Sequence, residues 1–224
     1  MIVSSRFEYD DAVEFGIEKQ NIHIIPMGID VAADATAHRP ESPHLKLLFA
    51  GRIALVRRLE LALLAVHKLT IPWELTLVGG EAQTSSVTRG GYVQELKRLA
   101  RTLGIENQVH FIGPKSKAEL KEYYKTADLF LYPSLYENFS QPLLEAAAAG
   151  LPLVATRVGI APDIAEQSGA ILCEGEPESL QRGIETLADR KARQEMGAAA
   201  QDAVRAGFSW ETILQQYRTL YQSL

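Results

Sequence analysis

Six short, mainly apolar runs between residues 46 and 173 alternate with segments that carry apolar residues at helical spacing. Such runs are typical of strands buried on both faces, since a half-exposed strand alternates apolar with polar residues. The segments between them supply the crossover helices that parallel strands need. The pattern predicts an α/β protein with a doubly wound parallel sheet, which binds ligands at the carboxyl ends of its strands. We expect strands at residues 46–50, 74–78, 109–112, 128–132, 151–155 and 170–173.

The whole chain divides into four parts. Residues 1–30, with a predicted helix at 7–16 and a strand at 21–26, are too small to form a core and look like the remnant of another domain. Residues 31–43 have a linker composition, 44–208 form the sheet domain, and 209–224 form a C-terminal helix capped by Ser209. Within the sheet domain we expect a long polar loop at 79–91, and helices at 58–69, 93–103, 117–126, 140–150, 163–166 and within 177–197.

Two glutamates, Glu137 and Glu145, make the segment 136–152 the candidate site. Glu137 lies in a loop, and Glu145 lies in a helix that Leu143, Leu144 and four successive alanines make apolar on every side. Such a helix is typical of a buried position. A carboxylate there is costly unless a partner meets it, so we expect Glu145 to face a polar pocket. An ion pair between domains is an alternative of equal weight.

The start of this helix predicts an anion site. Its first N–H groups, from about Phe139 to Leu143, have no helical partners and suit a phosphate. Glu145 and Glu137 can accept hydrogen bonds from hydroxyl groups on either side of that phosphate. A nucleotide sugar carries hydroxyls, phosphates and hydroxyls in this order and fits the layout.

Arginines follow the first expected strand of the sheet domain. Gly51 and Arg52 come directly after residues 46–50, and Arg57 and Arg58 precede the next helix. Guanidinium groups match phosphate oxygens, so two arginines at a strand end suit a diphosphate. A binding role is favoured for Arg52, whereas Arg58 is more typical of a solvent-exposed residue.

Glycines end several other strands. Gly79, Gly80 and Gly113 lie where the backbone can approach a flat ligand closely, although each of them alone often marks only a turn. For Gly159, a plain turn is the favoured interpretation.

Composition and missing motifs argue against several classes of function, among them dinucleotide-binding and P-loop proteins. The net charge of −5 gives no support for nucleic-acid or acidic-membrane binding. Scattered histidines and one cysteine, Cys173, form no metal set, and neither a Walker A nor a Gly-x-Gly-x-x-Gly sequence is present. We find no bilayer-spanning run and no signal-peptide pattern, and a lone cysteine fits a reducing compartment, so we expect a cytoplasmic protein. Contact with a membrane surface stays open.

The segment from Glu137 to Glu145 resembles the Glu-x7-Glu motif of retaining glycosyltransferases with two Rossmann-like domains, the GT-B fold. The group 1, or family 4, branch is the most similar, and the resemblance covers nearly the whole chain. The other motifs that follow the family's order are Ile24-Ile25-Pro26-Met27-Gly28-Ile29-Asp30, Phe49-Ala50-Gly51-Arg52, Leu77-Val78-Gly79-Gly80, His110-Phe111-Ile112-Gly113, Ala127-Asp128, Tyr132-Pro133-Ser134, Gly150-Leu151-Pro152 and Phe208-Ser209-Trp210.

The resemblance implies a role for each matching residue. Glu145 would bind the nucleotide ribose, and Glu137 would bind hydroxyls of the donor sugar. Arg52 and Arg57 would neutralise the diphosphate leaving group, which makes Glu137, Arg52 and Arg57 the expected catalytic residues. Such enzymes need no metal and retain the anomeric configuration. The other expected donor-binding residues are Phe139, Ser140 and Gln141 at the sugar and phosphate, Gly51 at the strand end, and Gly79 and Ile112 at the base.

Several positions depart from the family's usual pattern. Lys-Gly is usual where Arg57 and Arg58 stand, Gly is usual where Ser140 stands, and Asn is usual before Gly28. Residues 159–163 are a variant of the usual Gly-Gly-x-x-Glu turn. Arg57 keeps the positive charge, whereas we expect Arg58 to crowd its loop.

The implied function is that of the donor-binding half of a hexosyltransferase with a UDP-, GDP- or ADP-type sugar donor. Its acceptor domain would precede it, so we expect this chain alone to bind a nucleotide sugar and to transfer poorly or not at all. A non-catalytic nucleotide-binding or interaction module is one alternative, favoured if no nucleotide binds. A sugar-nucleotide epimerase is another, and the glutamate spacing does not support it.

Overall fold

The structure, a computed structural model, describes residues 1–31, 39, 42–81 and 90–223. Most of the expected linker at 31–43, and residues 82–89 of the expected loop, therefore lie outside the described residues. The strands and helices, in chain order, are β1 (Ile2–Val3), α1 (Arg6–Glu14), β2 (His23–Ile24), β3 (Leu45–Ala50), α2 (Leu59–His67), β4 (Trp73–Val78), α3 (Tyr92–Thr102), β5 (Val109–Gly113), α4 (Lys117–Thr126), β6 (Leu129–Tyr132), α5 (Gln141–Ala148), β7 (Leu153–Thr156), α6 (Ala161–Glu166), β8 (Ala170–Cys173), α7 (Pro177–Thr186), α8 (Arg190–Phe208) and α9 (Trp210–Ser223).

The predicted doubly wound α/β fold is confirmed. Six parallel strands form one sheet in the order β5-β4-β3-β6-β7-β8. The chain runs outward from β3 to β5 and then returns to place β6 on the other side of β3, where Leu47 pairs with Leu129 and Leu48 with Phe130. The strand order thus reverses between β3 and β6, and ligands of such sheets bind at the carboxyl ends beside this reversal.

Helix α5 is buried because α8 lies directly on it. The Gln201 amide donates to the Ala148 carbonyl oxygen at 2.9 Å. A side chain on Gly197 would place its Cβ 2.3 Å from the Gly150 carbonyl oxygen, so only a glycine permits this approach. Leu143 and Leu144 are fully buried, which agrees with the prediction of an apolar helix inside the protein.

The first residues form a small unit of their own. β1 and β2 pair in parallel, and Val3, Ala12 and Ile22 form a separate hydrophobic cluster beneath α1. The sequence did not predict β1, because two residues carry no periodicity.

The segment after β2 is tied to the C-terminal helix. Ile25 packs with Ile213 and Leu220 of α9. A Cβ on Gly28 would lie 2.5 Å from the Trp210 ring, so the indole rests on this backbone. Ser209 caps α9 as predicted, since its hydroxyl accepts from the Thr212 N–H at 3.3 Å.

Several expected boundaries were wrong by a few residues, for local reasons. Asp128 precedes β6, because its carboxylate replaces a ladder carbonyl and accepts from the Lys46 N–H at 2.8 Å. β7 begins at Leu153 and not at residue 151, since Pro152 has no N–H to donate. The region 177–197 contains α7 and the start of α8, which continues to Phe208. In the part of the chain that the structure describes, no helix is both long and apolar enough to cross a bilayer.

Candidate functional site

The tip of β3 and the start of α5 meet at the point where the strand order reverses. Gly51 follows β3, and a Cβ on it would lie 3.7 Å from Cγ of Pro142 in the first turn of α5. The elements that carry the expected arginines and the expected glutamates therefore share one edge of the sheet. This edge is where ligands of doubly wound sheets bind.

Arg57 and Glu137 are joined in a largely buried ion pair between Arg57 Nη1 and Glu137 Oε1. The Tyr132 hydroxyl donates to the same carboxylate oxygen at 3.2 Å. Arg57 Nη1 also donates to the Ser134 hydroxyl at 3.1 Å, and its guanidinium lies 5.7 Å from the centroid of the Tyr132 ring. Two of the expected catalytic residues are thus in direct contact with each other.

Arg52 contributes a second positive charge beside this pair. Burial lowers the pKa of Arg57, the Tyr132 phenol opposes that shift, and the charge of Arg52 lowers this pKa further. Burial raises the pKa of Tyr132, and the charges of Arg57 and Arg52 act in the opposite direction. Because the Arg52 charge reaches both groups while the residue is exposed, Arg52 can meet a ligand anion at this edge.

Glu145 is half-buried in the second turn of α5. The Tyr124 hydroxyl donates to its Oε2 at 3.1 Å. Among the described residues, Glu145 forms no ion pair, so the hydroxyl of Tyr124 is what meets its charge from the protein side. Burial raises the pKa of Tyr124, and the negative charge of Glu145 raises it further.

The N-terminus of α5 offers free donors, as predicted. Within the described residues, the N–H groups of Phe139, Ser140, Gln141 and Leu143 donate to no hydrogen-bond acceptor. No side chain caps the helix, and the N-cap residue Ser140 has φ 73°. These groups, together with the positive end of the helix, form a site suited to an anion.

The loop after β7 holds in place the loop that carries Glu137, residues 133–140 between β6 and α5, which we call the glutamate loop. The N–H groups of Gly159 and Ile160 donate to the carbonyl oxygens of Glu137 at 3.1 Å and Phe139 at 2.9 Å. Gly159 has φ 52°, and a Cβ on it would lie 2.3 Å from the Phe139 oxygen. Gly159 is therefore more than the plain turn that the sequence favoured, because the contact requires a residue without a side chain.

The strand ends on the other side of β3 form the place expected for a base. A Cβ on Gly79 would lie 1.7 Å from the Gly51 carbonyl oxygen, so the backbones of the two loops touch. The Ile53 N–H donates to the Gly80 oxygen at 2.9 Å. Ile112, in β5, is 36% exposed.

Two of the departures from the family's usual residues fall on left-handed backbone. Arg58 has φ 49° and Ser140 has φ 73°. Glycine adopts this conformation without cost, which explains why glycine is usual at both positions. The Arg58 side chain turns to Glu60, with Nε 3.2 Å from Oε1. Its left-handed backbone is a cost that the sequence did not predict, and the expected crowding of the loop stays a prediction.

Sequence reasoning missed the two tyrosines that contact the glutamates. Tyr132 ends a buried strand directly before the site, and this position was the available signal. Tyr124 lies in the middle of α4, where nothing in the sequence marks it. The Tyr136 hydroxyl, which donates to Asp11 Oδ2 at 3.2 Å, also joins α1 to the glutamate loop without any sequence signal.

Comparisons with known proteins found matches in both sequence and fold. A family model described as "Glycosyl transferases group 1" matches residues 32–203. A D-inositol 3-phosphate glycosyltransferase from Xylanimonas cellulosilytica is 29% identical over 229 residues, which cover 94% of this chain and 54% of the relative. The chain therefore spans about half the length of the curated relatives it matches.

Two solved structures share the fold. Sucrose-phosphate synthase from Thermosynechococcus elongatus superposes with a TM-score of 0.80 and 25% identity, over 99% of this chain and 57% of that one. Anabaena HepE, solved in complex with UDP and glucose, has a TM-score of 0.83 and 21% identity, over 100% of this chain and 62% of its own.

Proposed function

Because the chain belongs to the group 1 glycosyl transferases, we propose that it is the donor-binding half of a retaining, family 4 glycosyltransferase. The complete protein would transfer a hexosyl group from a nucleoside diphosphate sugar to an acceptor. An N-terminal domain of similar size would bind that acceptor, since the curated relatives are about twice as long as the matched segment.

One observation carries this proposal: the start of α5, whose first N–H groups have no acceptor among the described residues, lies against the tip of β3, and one glutamate precedes and one follows these groups in the sequence. A diphosphate at the helix start would be held by the N–H groups of Ser140 and Gln141 and by the charge of Arg52. Glu145, one turn further along α5, would accept hydrogen bonds from the ribose hydroxyls. Glu137, in the loop before α5, would accept them from the donor sugar.

The leaving group would be stabilised by fixed positive charge. When the bond between the sugar and the diphosphate breaks, negative charge grows on the diphosphate. Arg52 and the α5 N-terminus would oppose that charge from fixed positions, and Arg57 would join them once the donor has replaced its pair with Glu137. Electrostatic stabilisation of this kind is usually the largest contribution to catalysis. We propose that this set replaces a divalent metal, and chelation by EDTA should then leave donor binding unchanged.

For the base, we propose a position beside the Gly79 backbone and Ile112. A flat ring can approach main chain there, because neither Gly79 nor Gly51 has a side chain. UDP is the first nucleotide to test, since HepE, of the same fold, was solved with UDP and glucose.

The ion pair between Arg57 and Glu137 favours a second candidate, a nucleotide-binding module without catalysis. Two of the three expected catalytic residues, Arg57 and Glu137, are already partners of each other in this pair. A catalytic domain would have to exchange these partners for the diphosphate and the sugar when a donor binds.

A thermal-shift panel of UDP, GDP, ADP and their common hexose conjugates tests the proposal. A ligand at 100 times its Kd stabilises a protein by about 2.7 kcal/mol, which raises Tm by roughly 5–10 °C in a domain of this size. We expect such a shift for one base, and calorimetry then gives its Kd. If no nucleotide shifts Tm, the donor-binding function is wrong. A shift with nucleotides, combined with transfer that stays absent after an acceptor domain is restored, would favour the second candidate.

A further inference from the structure

Each of the two glutamates receives a hydrogen bond from a buried tyrosine. Tyr124 donates to Glu145 Oε2 at 3.1 Å, and Tyr132 donates to Glu137 Oε1 at 3.2 Å. The exposed fractions of the two tyrosines are 4% and 0%. The donors belong to α4 and β6, so neither is part of the segment that carries the glutamates.

The two tyrosines are members of one row of aromatic rings under the site. Tyr132 lies between Phe49 and Phe130, with ring centroids 5.5 Å and 5.8 Å away, and Tyr124 lies 5.9 Å from Phe130. Close-packed rings of this kind have fixed positions, so the hydroxyl groups at their ends are fixed as well. Both glutamates therefore accept hydrogen bonds from hydroxyl groups that belong to one rigid layer of aromatic rings.

The geometry leaves each carboxylate with capacity for a ligand. A carboxylate has two oxygens and about four acceptor positions, and a tyrosine hydroxyl donates one hydrogen. Within the described residues, Oε1 of Glu145 accepts no hydrogen bond, while Oε2 is held by Tyr124. Glu137 has the reverse arrangement: Oε1 is held by Tyr132 and by Arg57, and Oε2 accepts no hydrogen bond from a described residue. Burial raises the pKa of both tyrosines, which keeps each hydroxyl protonated as a donor. A carboxylate fixed by one oxygen presents the other in a defined direction.

We propose that Tyr124 and Tyr132 are positioning residues for donor recognition. Tyr124 orients Glu145 toward the ribose hydroxyls, and Tyr132 orients Glu137 toward the hydroxyls of the transferred sugar. This inference rests on the proposed function, because it assigns these two recognition tasks to the two glutamates.

The test compares Tyr124→Phe and Tyr132→Phe with the wild-type chain by calorimetry. The three probes are UDP, 2′,3′-dideoxy-UDP and UDP-glucose, or the corresponding ligands of the base that the thermal-shift panel selects. For Tyr124→Phe we expect UDP to bind about tenfold more weakly and dideoxy-UDP to bind unchanged, since hydrogen bonds to charged groups contribute about this factor. For Tyr132→Phe we expect UDP to bind unchanged. The ratio of the affinity for UDP-glucose to the affinity for UDP should fall by about tenfold.

Tyr123→Phe is the matched control, because it removes a hydroxyl from the neighbouring position of α4 without contacting either glutamate. All variants keep their rings, and thermal unfolding without ligand verifies that they fold. If only one of the two test variants folds, that variant decides the question alone, by whether it shows the pattern of affinities expected for it.

Three results would overturn the inference. Equal weakening of all three probes would make the tyrosines purely structural, and unchanged affinities would make them irrelevant. If the wild-type chain binds no nucleotide, the proposed function fails and this inference fails with it. If the wild-type chain binds nucleotide and both variants keep its relative affinities for the three probes, this inference is wrong while the proposed function is still supported.

Discussion

Arg57 and Glu137 form an ion pair in which only 11% and 13% of the two side chains are exposed. The two residues come from the loops after β3 and β6, so the pair joins the two strand ends at the reversal of strand order. Tyr132 completes it by donating to Glu137 and lying beneath the guanidinium.

Breaking this pair from one side should destabilise the protein. Arg57→Met leaves the Glu137 carboxylate largely buried with a single hydroxyl donor, and we expect a loss of about 3 kcal/mol in the free energy of unfolding. The double variant Arg57→Met/Glu137→Gln should lose less, because no unpaired charge remains. Urea denaturation at pH 7 measures both. Arg205→Met is the control, since its pair with Asp202 is exposed, and equal losses in the two arginine variants would contradict the role of burial.

Replacing Glu145, the carboxylate proposed to bind the ribose, should weaken nucleotide binding. Glu145→Gln keeps the shape of the side chain and removes its charge, and we expect Kd for UDP to rise about tenfold or more. The melting temperature without ligand should change little, since the Tyr124 hydroxyl still has an acceptor. Glu106→Gln, an exposed glutamate before β5, is the control. Unchanged affinity in Glu145→Gln would remove Glu145 from the site.

Replacing Arg52 should lower the affinity for a nucleoside diphosphate more than the affinity for the nucleoside. With Arg52→Ala we expect UDP to lose tenfold or more in affinity, because a charge-assisted bond to phosphate is lost, while uridine loses little. Titration calorimetry with both ligands gives the ratio. Lys191→Ala removes an equal charge from a side chain that is 82% exposed on α8, and should affect neither ligand. Equal losses for UDP and uridine would argue against a phosphate role for Arg52.

Glycine at the two left-handed positions should stabilise the fold. Ser140→Gly and Arg58→Gly each relieve a backbone strain of about 1 kcal/mol, which raises Tm by roughly 2–4 °C. Arg58→Ala provides the comparison, because it also removes the contact with Glu60 but keeps a Cβ at φ 49°. A Tm for Arg58→Gly no higher than that of Arg58→Ala would show that strain is not the cause.

The hydrogen bonds of Glu119 in the first turn of α4 should make the stability of the fold depend on pH in acidic solution. Hydrogen bonds from Ser116 and Lys115 lower the pKa of Glu119 to about 2. A lowered pKa in the folded state stabilises the fold above the unfolded value of 4.5, and this contribution disappears as the pH falls toward 2. The difference in Tm between wild type and Glu119→Ala should therefore be largest above pH 5 and shrink below pH 4.

Glu122→Ala is the control for this titration. Glu122 lies on the same helix and pairs with Lys125 in an exposed contact, but it takes no part in the cap. A gap between wild type and Glu119→Ala that is constant from pH 6 to pH 3 would be inconsistent with the lowered pKa.

The sheet could be predicted from the sequence because each buried strand is a nearly continuous apolar run. The strand at residues 170–173 and the helix at 117–126 were predicted with the boundaries that the structure has. The errors lie where one side chain or one proline decides the end of an element, as at Asp128 and Pro152. Local pattern does not contain that information.

The candidate site could be predicted only in outline. Glu137, Glu145, Arg52 and Arg57 were assigned to one edge because the carboxyl ends of parallel strands share an edge. The pairing of Arg57 with Glu137, and the tyrosine beneath each glutamate, depend on side-chain directions in elements that are distant in sequence. Those directions follow from packing, which no motif spacing specifies.

The contact between Gly51 and Gly79 limits how this edge of the sheet can change in sequence. The loops after β3 and β4 touch here through main-chain atoms, so their spacing does not depend on side chains. Even one added methyl group at Gly79 would collide with the Gly51 carbonyl oxygen and force the two strand tips apart. Replacements that keep the two loops in contact must therefore fall on neighbouring positions that already carry a side chain.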